Sequence, residues 1–322
     1  MLSGRVILAA LVLLFGTVHA GETSRVKSAQ DRWGKSVDDL LELHLAETEL
    51  VRMVLLEASV TDRKGRIVRG LQEKDFKVFE DQTLQEIQFF SAEDAEPLAA
   101  AFLLDVSGSM GNMAKLQRAK DSIRILADRL RPEDRLALIR FADEGVSWVT
   151  DFTHDRSTLY RSLEAEQPFG QTAMIDALVA APDLVEDRIK TRKAIVLITD
   201  ADDNSSKTPV QTAVQLAQRV HVPVYTIAFL SVSRNWLPKG TLEKRLETID
   251  AISAATGGRV FPVYGDDELH DALRALEAEL SSQYLIGYYP AGQPDGEFHE
   301  ISVKLGKSRF RARTRSGYYA TP

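Results

Sequence analysis

Hydrophobic positions change their period twice along this chain of 322 residues. From Leu50 to Phe90 they alternate with polar ones. Val54, Leu56, Ala58 and Val60 share one face, and Phe76 with Val78, then Ile87 with Phe89, repeat the pattern. The runs Asp62-Arg63-Lys64-Gly65 and Glu80-Asp81-Gln82 separate them as turns. A period of two with such breaks predicts half-buried strands joined by short connections.

From Ala99 to about Ser282 the rhythm is different. Ala101-Phe102-Leu103-Leu104 and Ala194 to Ile198 are apolar without interruption, as strands of a parallel sheet covered on both faces must be. Leu136 to Phe141, Val146 to Val149 and Val222 to Phe229 also read as strands. Between them Met113, Leu116, Ala119, Ile123, Leu126 and Leu130 recur at helical spacing, and a further helix begins at Ala173. Thr208-Pro209-Val210-Gln211 reads as a capping box with proline at the first helical position, opening a helix to Val220. Leu242 to Ala255 is a helix closed by Gly257-Gly258, and Leu269, Leu273, Leu276 and Leu280 mark a last one. Strand and helix in alternation predict an α/β fold with a doubly wound, mostly parallel sheet.

After Gln283 the period of two returns: Ile301, Val303 and Leu305, then Phe310, Ala312 and Thr314. Each strand-only flank is too small to bury a core alone. The two flanks are therefore expected to pair into one small β-sandwich, with the α/β domain inserted between them. The organisation this implies is a signal peptide over 1–20, a linker over 21–48, sandwich segments over 49–95 and 283–322, and the α/β domain over 96–282. Within the linker, Val37 to Leu45 has the pattern of one amphipathic helix.

The first twenty residues change the picture of where the protein works. Arg5 precedes an apolar run from Val6 to Phe15, and Val18 and Ala20 occupy the small-residue positions of a cleavage site. This is the pattern of a secretory signal, too short for a membrane span, and it predicts an exported protein: periplasmic, cell-surface or secreted. No cysteine occurs, so disulfides, thiolate metal sites and a cysteine nucleophile are excluded. The net charge of −7 argues against a general nucleic-acid binder. Hydrophobic residues at 44% supply ample core material.

The candidate chemistry lies at strand ends. Asp105-Val106-Ser107-Gly108-Ser109 follows the first central strand directly, where ligands of open parallel sheets bind. A second strand ends in Thr199-Asp200, and Thr172 comes from the loop Gly170-Gln171-Thr172-Ala173. Asp105, Ser107, Ser109, Thr172 and Asp200 together offer five oxygens from three loops. A six-coordinate hard cation would use them and keep one position open. The bland alternative is that Asp105 and Ser107 only cap the helix after Met110. A catalytic alternative casts Asp105 as the nucleophile of a Mg²⁺-dependent phosphohydrolase of haloacid-dehalogenase type. That chemistry wants an acid–base carboxylate two residues on, where Ser107 stands. A third possibility is an envelope scaffold with a vestigial metal site. Asp202 and Asp203 either enlarge the site or form a solvated loop. Arg309, Arg311, Arg313 and Arg315 read as a solvated strand face, and Tyr288, Tyr289, Tyr318 and Tyr319 as sandwich packing with hydroxyls at the rim.

On these residues the chain resembles von Willebrand factor A domains with a metal-ion-dependent adhesion site. Each of Asp105, Ser107, Ser109, Thr172 and Asp200 matches a position of that site. The wider chain is similar to exported bacterial proteins of the same kind. It shares with them Thr61-Asp62 with Gly65, Gly70-Leu71, Asp75-Phe76-Lys77-Val78-Phe79-Glu80-Asp81, Gln283 to Pro290 and Gly317-Tyr318-Tyr319-Ala320. The resemblance implies a non-enzymatic protein–protein interaction module. In it, hydroxyls touch the cation directly and carboxylates act largely through water. The ion would be Mg²⁺, with Mn²⁺ and Ca²⁺ as alternatives, and a partner's Asp or Glu would complete its shell. Ala201 departs from the glycine common after the last aspartate, which matters if that position needs a positive φ.

Overall fold

The computed structural model describes residues 53–92, 97–143, 145–188, 192–230, 240–292 and 294–320. The expected signal peptide, the linker and its helix lie outside the described residues. Almost everything described belongs to one compact unit, Val54–Pro322. Among the described residues no helix is long and apolar enough to cross a membrane.

Four strands come first: β1 (Val54–Asp62), β2 (Phe76–Glu80), β3 (Thr83–Gln85) and β4 (Ile87–Ser91). The α/β domain follows with β5 (Ala99–Asp105), α1 (Lys115–Arg129), β6 (Arg135–Ala142), β7 (Gly145–Thr153), α2 (Arg156–Ala165), α3 (Met174–Arg188), β8 (Lys193–Thr199), α4 (Val210–Ala217), β9 (Val224–Phe229), α5 (Thr241–Ala255), β10 (Val260–Val263) and α6 (Asp266–Leu280). The chain closes with β11 (Tyr284–Tyr288), β12 (Phe298–Leu305), β13 (Phe310–Arg313) and β14 (Gly317–Tyr319).

The central sheet runs in the order β10-β9-β8-β5-β6-β7, parallel except for β7, which pairs antiparallel with β6 at one edge. All seven residues of β5 are buried, which is why its sequence lacks alternation. Ala100, Phe102 and Leu104 face a core shared with α1, α2 and α6, while Ala101 and Leu103 face one shared with α3, α4 and α5. From β5 the chain moves to β6 on one side, and β8 later returns on the other. The carboxyl ends of β5 and β8 thus flank the switch point of the sheet, where a crevice opens by topology alone.

The flanking strands build two antiparallel sheets, β13-β1-β11-β4 and β14-β12-β2-β3. Each joins strands from before and after the α/β domain: Leu56 pairs with Ile286, and Val78 with Val303. The two sheets share one core of Leu56, Ala58, Val60, Val78, Ile286 and Tyr288. The expected fold class, a doubly wound sheet inserted in a β-sandwich, is the one observed.

Three local expectations need correction. Thr208 does not cap α4: Pro209 holds the cap position without a side-chain bond, and the Lys207 and Thr208 amides go to the Asp176 carboxylate on α3. A tertiary acceptor has replaced the local one. Arg313 is not on a solvated face, because it pairs with the fully buried Glu279 of α6. The Tyr288 hydroxyl is not at a rim either, but sits inside the sandwich and donates to Glu80 Oε2 at 2.6 Å.

The turn after α5 carries a strict steric demand. Gly257 has φ of 88°, and a methyl at Gly258 would stand 1.9 Å from the Val224 carbonyl oxygen. That oxygen belongs to the backbone of β9, so only a shift of the strand could relieve the clash. Gly258→Ala is therefore expected to cost ~1–3 kcal/mol, the range for overpacking a close-packed core. Urea denaturation measures it, and an unchanged midpoint would contradict the tight approach of α5 to the sheet.

Candidate metal centre

Asp105 ends β5 with its side chain fully buried. Its Oδ1 accepts the Ser107 amide at 2.9 Å and its Oδ2 the Thr199 hydroxyl at 2.6 Å. Thr199 Oγ1 also receives the Ala201 amide at 3.0 Å, so the ends of β5 and β8 are laced together through one hydroxyl. A short 3₁₀ turn, Gly108–Ala114, follows Ser107, whose side chain makes no capping bond. The Ser107 hydroxyl instead lies 3.1 Å from that of Ser109. Capping alone does not account for these residues.

The loop bearing Thr172 is clamped against this turn. Gly108 N–H donates to Gly170 O at 3.0 Å and Phe169 N–H to Val106 O at 2.7 Å. Gly170 takes φ of 70°, and a Cβ there would collide with the Asp143 carboxylate, which accepts the Gln171 amide at 2.7 Å. The Thr172 amide donates to Asn204 Oδ1 at 3.0 Å, and its carbonyl accepts the Asn204 and Ser205 amides. With both backbone groups committed, Thr172 Oγ1 is left fully buried without a hydrogen-bond partner. A buried hydroxyl in that condition costs about 1–3 kcal/mol unless something else meets it.

Asp200 directly follows β8 and is also buried. Its Oδ2 receives the Lys115 ammonium at 2.6 Å. Burial raises the Asp105 pKa to about 6, and the neighbouring Asp200 charge adds to the effect, while hydrogen bonds from Ser107 and Thr199 oppose it. The three loops thus bring two buried carboxylates and three hydroxyl-bearing residues to one end of the sheet, with Lys115 as the ammonium on Asp200. This donor set, with its orphaned hydroxyl, fits a hard divalent cation.

Asp202 and Asp203 each have partners within the fold. Asp202 pairs with Arg245 at 2.5 Å, and Asp203 Oδ1 accepts the Met174 amide that opens α3 and the Ser206 hydroxyl. The doubt over Ala201 is answered: it is buried with φ of 61°. Left-handed strain and a buried methyl, which glycine would lack, act in opposite directions there. The residues that reading the sequence missed are Lys115, Thr199 as a ligand-fixing hydroxyl, and Asn204. Nothing distinguishes Lys115 from other helix-opening lysines in sequence. Thr199 carried a signal, as a polar residue closing a fully apolar strand.

The class defined by these features is a doubly wound α/β domain with an oxygen-rich site at its switch point. Residues 100–203 match the family model of the von Willebrand factor type A domain. Such domains commonly mediate protein–protein interaction and often bind a divalent cation. The human inter-alpha-trypsin inhibitor heavy chain H3 is 24% identical over 209 residues, covering 59% of this chain but 22% of its own length. The chain thus spans about a fifth of that relative. YwmC of Bacillus subtilis is 28% identical over 216 residues, covering 60% of this chain and 90% of its own. Among solved structures, a von Willebrand factor type A protein from Catenulispora acidiphila aligns with a TM-score of 0.47 at 15% identity, over 78% of this chain and 74% of that one. BatB from Bacteroides thetaiotaomicron aligns at 0.44 and 20%, over 57% and 97%.

Proposed function

We propose that the domain over 96–282 is a metal-dependent protein-binding module, in which Asp105, Ser107, Ser109, Thr172 and Asp200 hold Mg²⁺ and a partner's Asp or Glu side chain is the ligand recognised. A divalent cation held there supplies a Lewis-acidic position for a carboxylate oxygen. The observation that carries this reading is Thr172 Oγ1, buried and unpartnered in a loop clamped against the turn that carries Ser107 and Ser109. The chain's own residues set the preference for an anion. Three of the five ligand side chains are neutral hydroxyls, and the Lys115 ammonium offsets part of the negative charge on Asp200. The loaded site therefore keeps net positive character, and a partner carboxylate offsets it. Thr199 and the Ser107 amide fix the Asp105 carboxylate in place beforehand. Binding rather than hydrolysis is favoured, because Ser107 holds the place where a phosphohydrolase needs its acid–base carboxylate. The first twenty residues support an exported location, where such a module meets proteins of the cell envelope.

The test is retention of envelope proteins on the immobilised chain, with Mg²⁺ against EDTA. At least a tenfold loss of a specific partner is expected in EDTA, and in Asp105→Ala or Thr172→Ala with Mg²⁺ present. A partner held equally well in chelator overturns the mechanism.

Lys115 gives one specific reason for a second reading, a scaffold whose site needs no ion. Its ammonium is itself a cation tethered to Asp200. Lys115→Met separates the two. Under the metal reading the variant binds Mg²⁺ at least as tightly as the parent in calorimetry. Under the scaffold reading it loses stability, and Mg²⁺ restores nothing.

A further inference from the structure

A second group of potential ligands lies in the β-sandwich. Glu80 closes β2, Asp81 begins the tight turn to β3, and His299 stands in β12. Asp81 and Gln82 both take positive φ, 45° and 66°, which bends the chain so that Asp81 turns back toward β12. There Asp81 Oδ1 accepts the Glu300 amide at 2.9 Å.

Each of the three side chains has one polar atom already committed. Glu80 Oε2 accepts the hydroxyls of Tyr288, at 2.6 Å, and Tyr318, at 3.3 Å. Asp81 Oδ1 is held by the Glu300 amide. His299 Nε2 lies 3.1 Å from Asp295 Oδ1, which the Glu297 amide fixes in turn, and the imidazole stacks on the Tyr318 ring. The other atoms converge: His299 Nδ1 is hydrogen-bonded to Asp81 Oδ2 at 2.8 Å and lies 3.6 Å from Glu80 Oε1, and one ligand atom of each residue falls within 4.8 Å of the other two.

Glu80 carries the argument beyond a surface ion pair. Its side chain is more than nine-tenths buried, yet Oε1 accepts no hydrogen bond among the described residues. His299 Nδ1 lies 3.6 Å from it. Two carboxylate oxygens converging on one imidazole nitrogen make a set of three donors that a single divalent cation can share. Asp81 is half exposed, so the cluster opens to solvent and an ion has a path in.

We propose that Glu80, Asp81 and His299 form a second metal site, for a divalent transition metal of the Zn²⁺ type. One imidazole with two carboxylates suits borderline ions better than Mg²⁺, which takes oxygen ligands. Asp295 plays the orienting part that carboxylates play behind metal-bound imidazoles, holding the proton on Nε2 so that Nδ1 is the ligand atom. On uptake the Nδ1–metal bond forms and the Nδ1 proton leaves to solvent. The proposal is independent of the site at Asp105.

Co²⁺ titration of the full chain tests it, in an Asp105→Ala background that disables the other site. One equivalent should produce a visible absorption band of imidazole-bound Co²⁺, displaced by Zn²⁺. His299→Gln should abolish the band. Asp295→Asn should weaken affinity about 10–100-fold, as loss of an orienting partner does. Asp81→Asn keeps the acceptor for Glu300 and tolerates positive φ, so it tests the ligand without breaking the turn. It should weaken binding at least tenfold. No band, or equal Co²⁺ affinity in His299→Gln and Asp81→Asn, overturns the assignment. If Mg²⁺-dependent partner binding fails while this band persists, only the reading of the first site falls.

Discussion

Asp105→Asn is expected to make the metal-free protein more stable at neutral pH and to remove its response to Mg²⁺. The folded-state pKa of Asp105 is raised from 3.8 to about 6, chiefly by burial. The folded protein therefore binds this proton more tightly than the unfolded chain does. The associated stability is fully present below the unfolded value, near pH 4, and is lost as pH rises through about 6. In EDTA the wild-type chain should lose stability across that window, by something on the order of 3 kcal/mol for a shift of this size. Asparagine stays neutral, keeps an acceptor for the Ser107 amide and abolishes the slope. With Mg²⁺ present the order should reverse, because an ion that binds only the folded state adds about 2.7 kcal/mol at a hundred times its dissociation constant. Urea melts at pH 4 to 7, with chelator and with Mg²⁺, decide the matter. A flat wild-type profile, or equal Mg²⁺ stabilisation of the variant, removes Asp105 from the centre of the site.

Glu279→Ala should be the most damaging single change in the fold, at ~3–5 kcal/mol, the usual cost of removing one member of a buried ion cluster. Glu279 is fully buried on α6 and pairs with Arg259, beside β10, and with Arg313, on β13 of the sandwich. Arg313 also donates to the Gly257 carbonyl at 3.0 Å. The cluster sets neighbouring ionisations. Burial, then the Glu279 charge, push the Tyr225 hydroxyl up to about 12. Burial lowers the Arg259 pKa, and Glu279 opposes that. Without Glu279, two guanidinium groups face each other in a partly buried joint. A double-mutant cycle with Arg313→Ala should recover part of the loss, since removing the second charge relieves the repulsion. Additive losses would mean that the two residues stabilise the fold separately and do not join the α/β domain to the sandwich.

Much of this architecture was legible in the pattern of residues, and the reasons are physical. A strand buried on both faces must be apolar throughout, so β5 and β8 declared themselves, and with them the two ends where polar residues gather. The alternation of β1 and β12 is likewise a direct imprint of a sheet with one dry face. What could not be read depends on partners distant in sequence. Asp176 takes the amide of Thr208, which cancels a sound local capping motif. Glu279 turns Arg313 from a solvated residue into half of a joint. Lys115 reaches Asp200 across 85 residues of sequence, and only the folded chain brings them together. The five candidate ligands were readable because they cluster at or just beyond two apolar strands and in a glycine-bounded loop ahead of a helix. The hydroxyl of Thr199 and the side-chain amide of Asn204, which hold Asp105 and Thr172 in place, obey no spacing rule.

The pairing of Leu56 with Ile286 and of Val78 with Val303 has a kinetic consequence. β1 and β2 are made before the α/β domain, but their partners β11 and β12 only after it. Contacts between such distant parts of a chain form slowly, because loop closure must precede any gain from pairing. The intervening domain has mostly neighbouring partners and can assemble in the meantime, drawing its two ends together. The early strands therefore wait with unpaired edges, and that interval is when this protein is most exposed to aggregation and to chaperones.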